Sequence, residues 1–539
     1  MSDTMQYFLG VDVGTGSARA GVFDNRGHLI SSAKTALEMH RSDTGHFEQS
    51  SAQVWRSVCA SVREAVAGTE VDPDLIVGIG FDATCSLVVQ GATSGVGDPN
   101  HPERDIIVWS DHRARTQAER INANGHSVLD YVGGIISPEM QTPKLLWLRE
   151  NLPEVYSSAA HFFDLTDFLT WKASGALERS ICTVTCKWTY LAHEDRWDAG
   201  YFNSIGLGDL ADQEFARIGP RVVPAGTSLG TGLTQQAAAE MGLRAGVAVA
   251  AGLIDAHAGG VGTVGASGAS DAACQTMAYV FGTSSCTMTS STVAHFVPGV
   301  WGPYRSAMVP GLWLNEGGQS AAGAALDQLT ASHPASAEAA QLAAECGMGL
   351  TQWLADQALN KVAHPSEAVG LAHGLHVVPE YLGNRAPFSD PKRRAVVAGL
   401  GLQQGIDSLV ALYVAGLCGL AYGLRQILQA QAGQGITVHA LSVSGGAGTH
   451  PLSCQVLADA TGLPVEVTES TEPVLLGSAM LAAVASGRYG ALTDAMPNMS
   501  RVARRATPNS SYAVQHQQRF DAFTELQNVA ARLATIESR

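Results

Sequence analysis

The stretch YFLGVDVGTGSARAGVFD, residues 7–24, decides the fold. An apolar, β-type run enters a turn of glycine and hydroxyl residues, and a second run leaves it. Such a turn aims backbone N–H groups and hydroxyls at one point, which makes an anion site. Glycine also lets a phosphate approach the main chain closely. The pattern returns as MAYVFGTSSCTM at residues 277–288. Two such hairpins, one in each half, imply a nucleotide held between two related domains. Beyond them no residue-level repeat is visible.

The chain has 539 residues, 46% of them hydrophobic, enough core for two or more domains. A net charge of -16 argues against nucleic acid or an anionic membrane as partner. Bound phosphates must then be held by local geometry and a metal ion. Nine cysteines, an odd number spread along the chain, argue for a reducing cytoplasm rather than a disulfide framework. Residues 1–6 lack the charged and apolar regions of a signal peptide. The most apolar stretch, residues 409–424, falls short of the ~20 residues of a membrane span and reads as a buried helix.

Organisation follows from periodicity. A helix is expected near Ser51–Ala67, then a buried strand at 75–81 ending in Asp82-Ala83-Thr84-Cys85-Ser86. Helices follow around 113–121 and 144–150, and a strand at 247–254 ends in Asp255-Ala256-His257. The small-residue segment 265–270 is the candidate junction. It divides the chain into domains 1–265 and 266–500 and a polar tail, 501–539, with a helix at 515–536. Alternating strand, helix and Gly-rich turn mark an α/β class.

Asp12 stands two residues before Gly14-Thr15, poorly placed to touch phosphate but well placed to hold Mg²⁺ through water; the bland reading is a turn cap. Asp255 ends a strand, where α/β proteins place reactive groups, and a carboxylate there suits a base that accepts a hydroxyl proton. His257 alone makes no metal site. Residues 260–265 spell G-x-G-x-x-G without a preceding strand, so a dinucleotide loop is rejected, and a Walker loop is absent. Cys182 and Cys186 have helical spacing and no second pair, against zinc. Lys187, in an uncharged run, reads either as reaching into a cleft or as a solvated lysine. Glu316-Gly317-Gly318-Gln319-Ser320-Ala321-Ala322-Gly323 reads as a turn into a helix whose small residues let a ligand approach, or as a tight strand–helix junction. The segment Ser442-Val443-Ser444-Gly445-Gly446-Ala447-Gly448-Thr449-His450-Pro451 reads as a strand running into a Gly-rich turn and helix that meets an adenine or a phosphate, or as a tight junction.

Together these segments, with Gln141-Thr142-Pro143-Lys144, resemble the FGGY family of carbohydrate kinases from about residue 8 to 487. The resemblance implies two actin/hexokinase-like (ribonuclease H-like) domains with ATP and sugar in the cleft between them. Segments 80–87, 185–188, 255–257 and 316–320 are most similar to the ribulokinase branch. Segments 299–304 and 379–388 are most similar to its D-ribulokinase-type members. Carried over residue by residue, the resemblance makes Asp255 the catalytic base. Asp82, Cys85, Lys187, Asp255 and Glu316 become the sugar site. Gly14, Thr15, Gly282, Thr283, Gln319, Gly446 and Ala447 become the ATP site, and Asp12 the Mg²⁺ ligand. It also implies a cytoplasmic enzyme acting on a small-molecule sugar, with homodimers common in the family. D-ribulose is the first substrate to test, and L-ribulose, D-xylulose and ribitol stay open. A competing reading is an actin- or Hsp70-like ATP-switched binding protein, which would have no reason to place Lys187, Asp255 and Glu316 in its cleft.

Overall fold

The computed structural model of the protein describes residues 5–268, 271–446 and 448–537. The opening hairpin forms as its sequence requires: β1 (Tyr7–Val13) runs antiparallel to β2 (Ser17–Asp24), and β2 to β3 (Leu29–Ala36). On the other side of β1 lies β4 (Ile76–Ala83), parallel to it. The expected strand at 247–254 is interrupted. Its ends form β5 (Ala248–Val249) and β6 (Leu253–Ile254), both parallel to β4. The helices that bear on the site in this half are α1 (Ser51–Ala67), α2 (Gln141–Asn151), α3 (Ile181–Lys187) and α4 (Asp255–Val264). The rejected G-x-G-x-x-G run begins inside α4, in helix rather than in a strand–helix turn.

The second sheet comprises β7 (Thr276–Phe281), β8 (Ser285–Ser291), β9 (Trp301–Arg305), β10 (Trp313–Gln319), β11 (Ala440–Ser444), β12 (Val465–Thr468) and β13 (Val502–Ala506), in the order β9-β10-β8-β7-β11-β12-β13. Within it, β10-β8-β7-β11-β12 repeats β3-β2-β1-β4-β5 in both order and direction. The duplication suggested by two hairpins is therefore carried by the topology of two whole sheets.

Three further helices matter: α5 (Ile406–Ala432), α6 (Pro473–Ala485) and α7 (Ala513–Glu537). α5 is longer than the apolar stretch that signalled it, because Gln426, Gln429 and Gln431 continue the helix. By length and composition it would cross a membrane, but 72% of its apolar window is buried inside the protein, which marks a core helix. α6 lies against the first sheet although it comes from the second half. It comes so close that a Cβ on Gly80 would stand 2.0 Å from the Ser478 carbonyl oxygen. One on Gly10 would stand 2.0 Å from that of Leu475. At Gly477, α6 meets α4 just as closely, through the Ala258 carbonyl. Glycines on both partners let backbone approach backbone, so α4 and α6 form a tight crossing that ties the two halves together. The core of the first half consequently includes Leu475, Leu476 and Met480 of α6.

One expectation fails at this level. Within the segment 316–323, expected as a turn into a helix, Glu316 to Gln319 are not a turn but the end of β10, paired with Ser285 to Met288 of β8; the helix does follow, at Gly323.

Candidate active site

A cavity of about 300 Å³ opens between the two sheets. Asp12, Gly14, Thr15, Cys85, Lys187, Asp255 and Glu316 line it, so residues up to 304 positions apart share one space. Each arrives on the edge of a secondary element. Asp12 is near the end of β1, and Thr84-Cys85 follow β4. Asp255 opens α4 directly after β6, and Lys187 closes α3. Glu316 comes from β10. This is the carboxyl-end crevice in which open α/β sheets place ligands.

The Gln-Thr-Pro-Lys segment acts from behind the wall. It opens α2, and Gln141 Nε2 donates to the Cys85 carbonyl at 2.9 Å. Lys144, wholly buried, donates from Nζ to the carbonyls of Val108 (3.0 Å) and Trp109 (3.2 Å). Trp109 Nε1 in turn donates to Thr15 Oγ1 at 3.0 Å. One helix turn thus fixes two cavity loops and, through Trp109, the phosphate-type hairpin.

Electrostatics separate the acidic groups. Burial, then the negative charge of Asp12, push the Asp255 carboxyl up to about 6, against the Ala256 N–H, His257 and Lys187. Burial would also raise Glu316, but Lys187, then His257 and Arg385, bring its carboxyl down to about 2. Lys187 itself is raised: its burial is outweighed by Cys85, Glu316 and Tyr304 around it. Two carboxylates with opposed shifts in one cavity mark separate jobs, one exchanging a proton and the other a fixed charge.

Asp12 is held by Arg19, which sits opposite it in the β1–β2 register. Arg19 Nε donates to Asp12 Oδ2 at 2.7 Å, and Nη1 reaches Glu472 at 2.8 Å. Asp82 is a correction to the expected sugar site: it lies under Asp12 and does not line the cavity. Fully buried, it accepts from Ser478 Oγ of α6 at 2.6 Å, and burial, then Asp12, push its carboxyl well up.

The remaining expected nucleotide residues lie apart from the cavity. Gly282 and Thr283 are exposed in the β7–β8 turn, beside Ser284, which does line it. The Gln319 side chain is held by three hydrogen bonds. Its Oε1 accepts from Tyr279 Oη (3.0 Å) and Ser285 Oγ (3.1 Å), and its Nε2 donates to the Leu420 carbonyl of α5 (3.0 Å). Gly446 is exposed beyond β11, and Ala447 lies outside the described residues.

Trp109, Glu139, Cys286, Trp301 and Arg385 line the cavity without having been singled out. Trp301 presents its ring to Lys187 Nζ (5.1 Å from the centroid) and to the Arg385 guanidinium (5.7 Å). Both belong to segments noted for their resemblance, the available signal. Arg19 had a plainer one, since a hairpin turning at Gly14-Thr15-Gly16 sets it opposite Asp12.

Two α/β sheets of matching topology, a cleft between them, and a carboxylate beside a lysine and a Gly-Thr hairpin define a phosphotransferase of actin/hexokinase-like architecture. The chain belongs to the FGGY family of carbohydrate kinases, whose N-terminal domain matches residues 7–262 and whose C-terminal domain matches residues 277–486. A human FGGY carbohydrate kinase domain-containing protein is 44% identical over 534 residues, covering 97% of this chain and 96% of the relative. A D-ribulokinase of Saccharomyces cerevisiae is 37% identical over 514 residues, 89% of this chain and 72% of the relative. Among solved structures, one described as a "xyloylose kinase" from Brucella ovis superposes with a TM-score of 0.80 at 21% identity, covering 98% of this chain and all of that one.

Proposed function

We propose that the protein is an ATP-dependent pentulose kinase that converts D-ribulose to D-ribulose 5-phosphate. The observation that carries the chemistry is Asp255, a carboxylate at about 6 facing the same cavity as Lys187 and Glu316. The 37% identity to a D-ribulokinase supports the choice of sugar.

In this reading Asp255 takes the proton of the terminal hydroxyl. The freed oxygen bonds to the γ-phosphorus, the bond from that phosphorus to the β–γ bridging oxygen breaks, and ADP leaves. A base titrating near neutrality is matched to this proton transfer. Lys187 and Glu316 hold the sugar hydroxyls, and Cys85 bounds the pocket. Gly14, Thr15, Gly282, Thr283 and Gly446 face the phosphates and nucleotide, while Gln319 braces β10 against α5. Among the described residues no cluster of three or more His, Cys, Asp or Glu forms a cation cage. The site fits Mg²⁺ all the same, because Mg²⁺ is usually held by one or two carboxylates with waters and substrate phosphates, and Asp12 offers that carboxylate. Bound there, Mg²⁺ would neutralise charge on the transferred phosphoryl group. We assign residues 1–265 to the sugar-binding domain and 266–500 to the nucleotide-binding domain; the expected helical tail, 501–539, is not helical throughout, since its first strand, β13 (Val502–Ala506), completes the second sheet before α7 follows. We place the enzyme in the cytoplasm, on the strength of nine unpaired cysteines; a homodimer is its proposed assembly, on family resemblance.

The test is ADP release with MgATP against D-ribulose, L-ribulose, D-xylulose, L-xylulose, ribitol, L-arabinitol and glycerol. Preference for D-ribulose is expected. Preference for another polyol would replace the substrate, and absence of sugar-dependent release would overturn the kinase reading.

A further inference from the structure

The C-terminal helix α7 lies beyond the residues matched by the family's domains, yet it reaches a loop of the active-site cavity. Arg519 anchors it through the carbonyls of Ala372 (2.9 Å) and Leu375 (2.7 Å), and His516 Nδ1 meets Tyr422 Oη at 3.0 Å. Two turns further on, Gln527 is 2% exposed and donates from Nε2 to Glu380 Oε1 at 2.6 Å. The same oxygen accepts from Asn384 Nδ2, also at 2.6 Å. Gln426 of α5 completes the arrangement, donating to Gln527 Oε1 at 2.9 Å.

Asn384 is the pivot of the loop that carries Arg385. Its backbone exchanges two hydrogen bonds with Asp390 (2.9 and 2.8 Å), and its Oδ1 accepts from the Phe388 N–H at 3.0 Å. Arg385, the next residue, projects into the cavity over Trp301. Glu380 is buried and, among the described residues, Oε2 has no hydrogen-bond partner, so the hold on this carboxylate rests on two amide N–H groups at one oxygen. Losing one donor to a buried acceptor carries a full desolvation penalty, which the loop can relieve only by moving.

We propose that Gln527 is a positioning residue for the sugar site, holding the loop that carries Arg385 through Glu380 and Asn384. This rests on the kinase reading above. It gives α7 a task in substrate binding and explains why an amide stands at 527: one end must donate to a carboxylate while the other accepts from Gln426.

The test uses the full chain. Gln527→Glu sets a second carboxylate against Glu380 and is expected to raise the sugar KM about tenfold with little change in the MgATP KM. In a Glu380→Ala background the partner is gone, and adding Gln527→Glu there should change the sugar KM by less than about twofold. Hydrogen–deuterium exchange gives a readout independent of turnover: the amides of Asn384 and Asp390 should exchange faster in Gln527→Glu than in the parent, and no faster in Glu380→Ala with Gln527→Glu than in Glu380→Ala alone. Gln527→Ala replaces the single variant if Gln527→Glu does not fold. Unchanged exchange and an unchanged sugar KM in a folded single variant would overturn the proposal, as would a Gln527→Glu effect undiminished in the Glu380→Ala background. A parent protein without sugar-dependent ADP release would instead overturn the kinase reading, and the exchange experiment would still decide whether Gln527 holds the loop.

Discussion

His257 Nε2 lies 3.4 Å from Glu316 Oε2, and on the far side of the ring Nδ1 lies 3.0 Å from Cys182 Sγ. The ring is fully buried, and although burial alone would lower it, Cys182 and Glu316 raise its pKa. His257 is thus not an isolated core histidine. It is the second support of a carboxylate that faces the cavity, Lys187 being the first. His257→Leu should leave Glu316 short of one partner at a cost of about 1–3 kcal/mol, roughly a 5- to 150-fold rise in the sugar KM. Steady-state kinetics with sugar and MgATP varied separately would show it; a sugar KM equal to the parent's would refute the coupling.

Asp255→Asn keeps the side chain's shape and removes the base. Turnover should fall about 10²–10⁴-fold with nucleotide affinity retained. Turnover by coupled assay and nucleotide affinity by calorimetry check the two halves of this statement.

The same carboxyl sets the pH dependence. It titrates at about 6 in the folded protein, so kcat/KM should fall as pH drops through about 6. Glu316, at about 2, stays ionised through this range. Stability runs the other way. The folded pKa of Asp255 is above the unfolded value of about 3.9, so ionised Asp255 costs stability above about pH 6, and the cost is gone below about pH 4. Asp255→Asn should therefore melt at a higher temperature than the parent at pH 8, with the gap closing toward pH 4, by calorimetry at both pH values.

Lys187→Met removes the buried cation that holds Glu316 ionised. The sugar KM should rise by roughly the same 5- to 150-fold as for His257→Leu, with a smaller effect on MgATP. Equal effects on both substrates would show that Lys187 serves the nucleotide instead.

Gly80→Val tests the joint between the halves. The first added carbon would stand 2.0 Å from the Ser478 carbonyl oxygen, backbone that cannot rotate away. Overpacking of this kind costs about 1–3 kcal/mol, and fixed backbone places Gly80→Val at the upper end. Denaturant unfolding should show the loss, whereas exposed Gly125, with open space around its Cβ position, is strained only by its φ of 65°.

How much was legible depended on how local the cause was. Ser51–Ala67 is a helix over the expected residues because its apolar positions and the Ser50 cap, which accepts from the Gln53 N–H, are written in adjacent sequence. Both Gly-Thr/Ser hairpins were legible for the same reason. Glu316-Gly317-Gly318-Gln319 was misread because glycine signals a turn, while its strand state comes from pairing with β8, 28 positions away at Glu316↔Met288. Asp82 was misplaced because its neighbour Asp12 is at the cavity while the face of β4 that bears Asp82 is covered by Ser478 of α6, 396 residues later.

The sequence by itself determined the hairpins, the α/β class, the family and the candidate base, all properties of short segments whose periodicity and turn chemistry act over a few residues. Only the tertiary structure decided which side chains share the cavity, that Arg19 holds Asp12, that His257 backs Glu316, and that a C-terminal helix reaches the Arg385 loop. These relations are set by strand order and by the close crossing of α4 and α6, where burial and charge act between residues the chain keeps far apart.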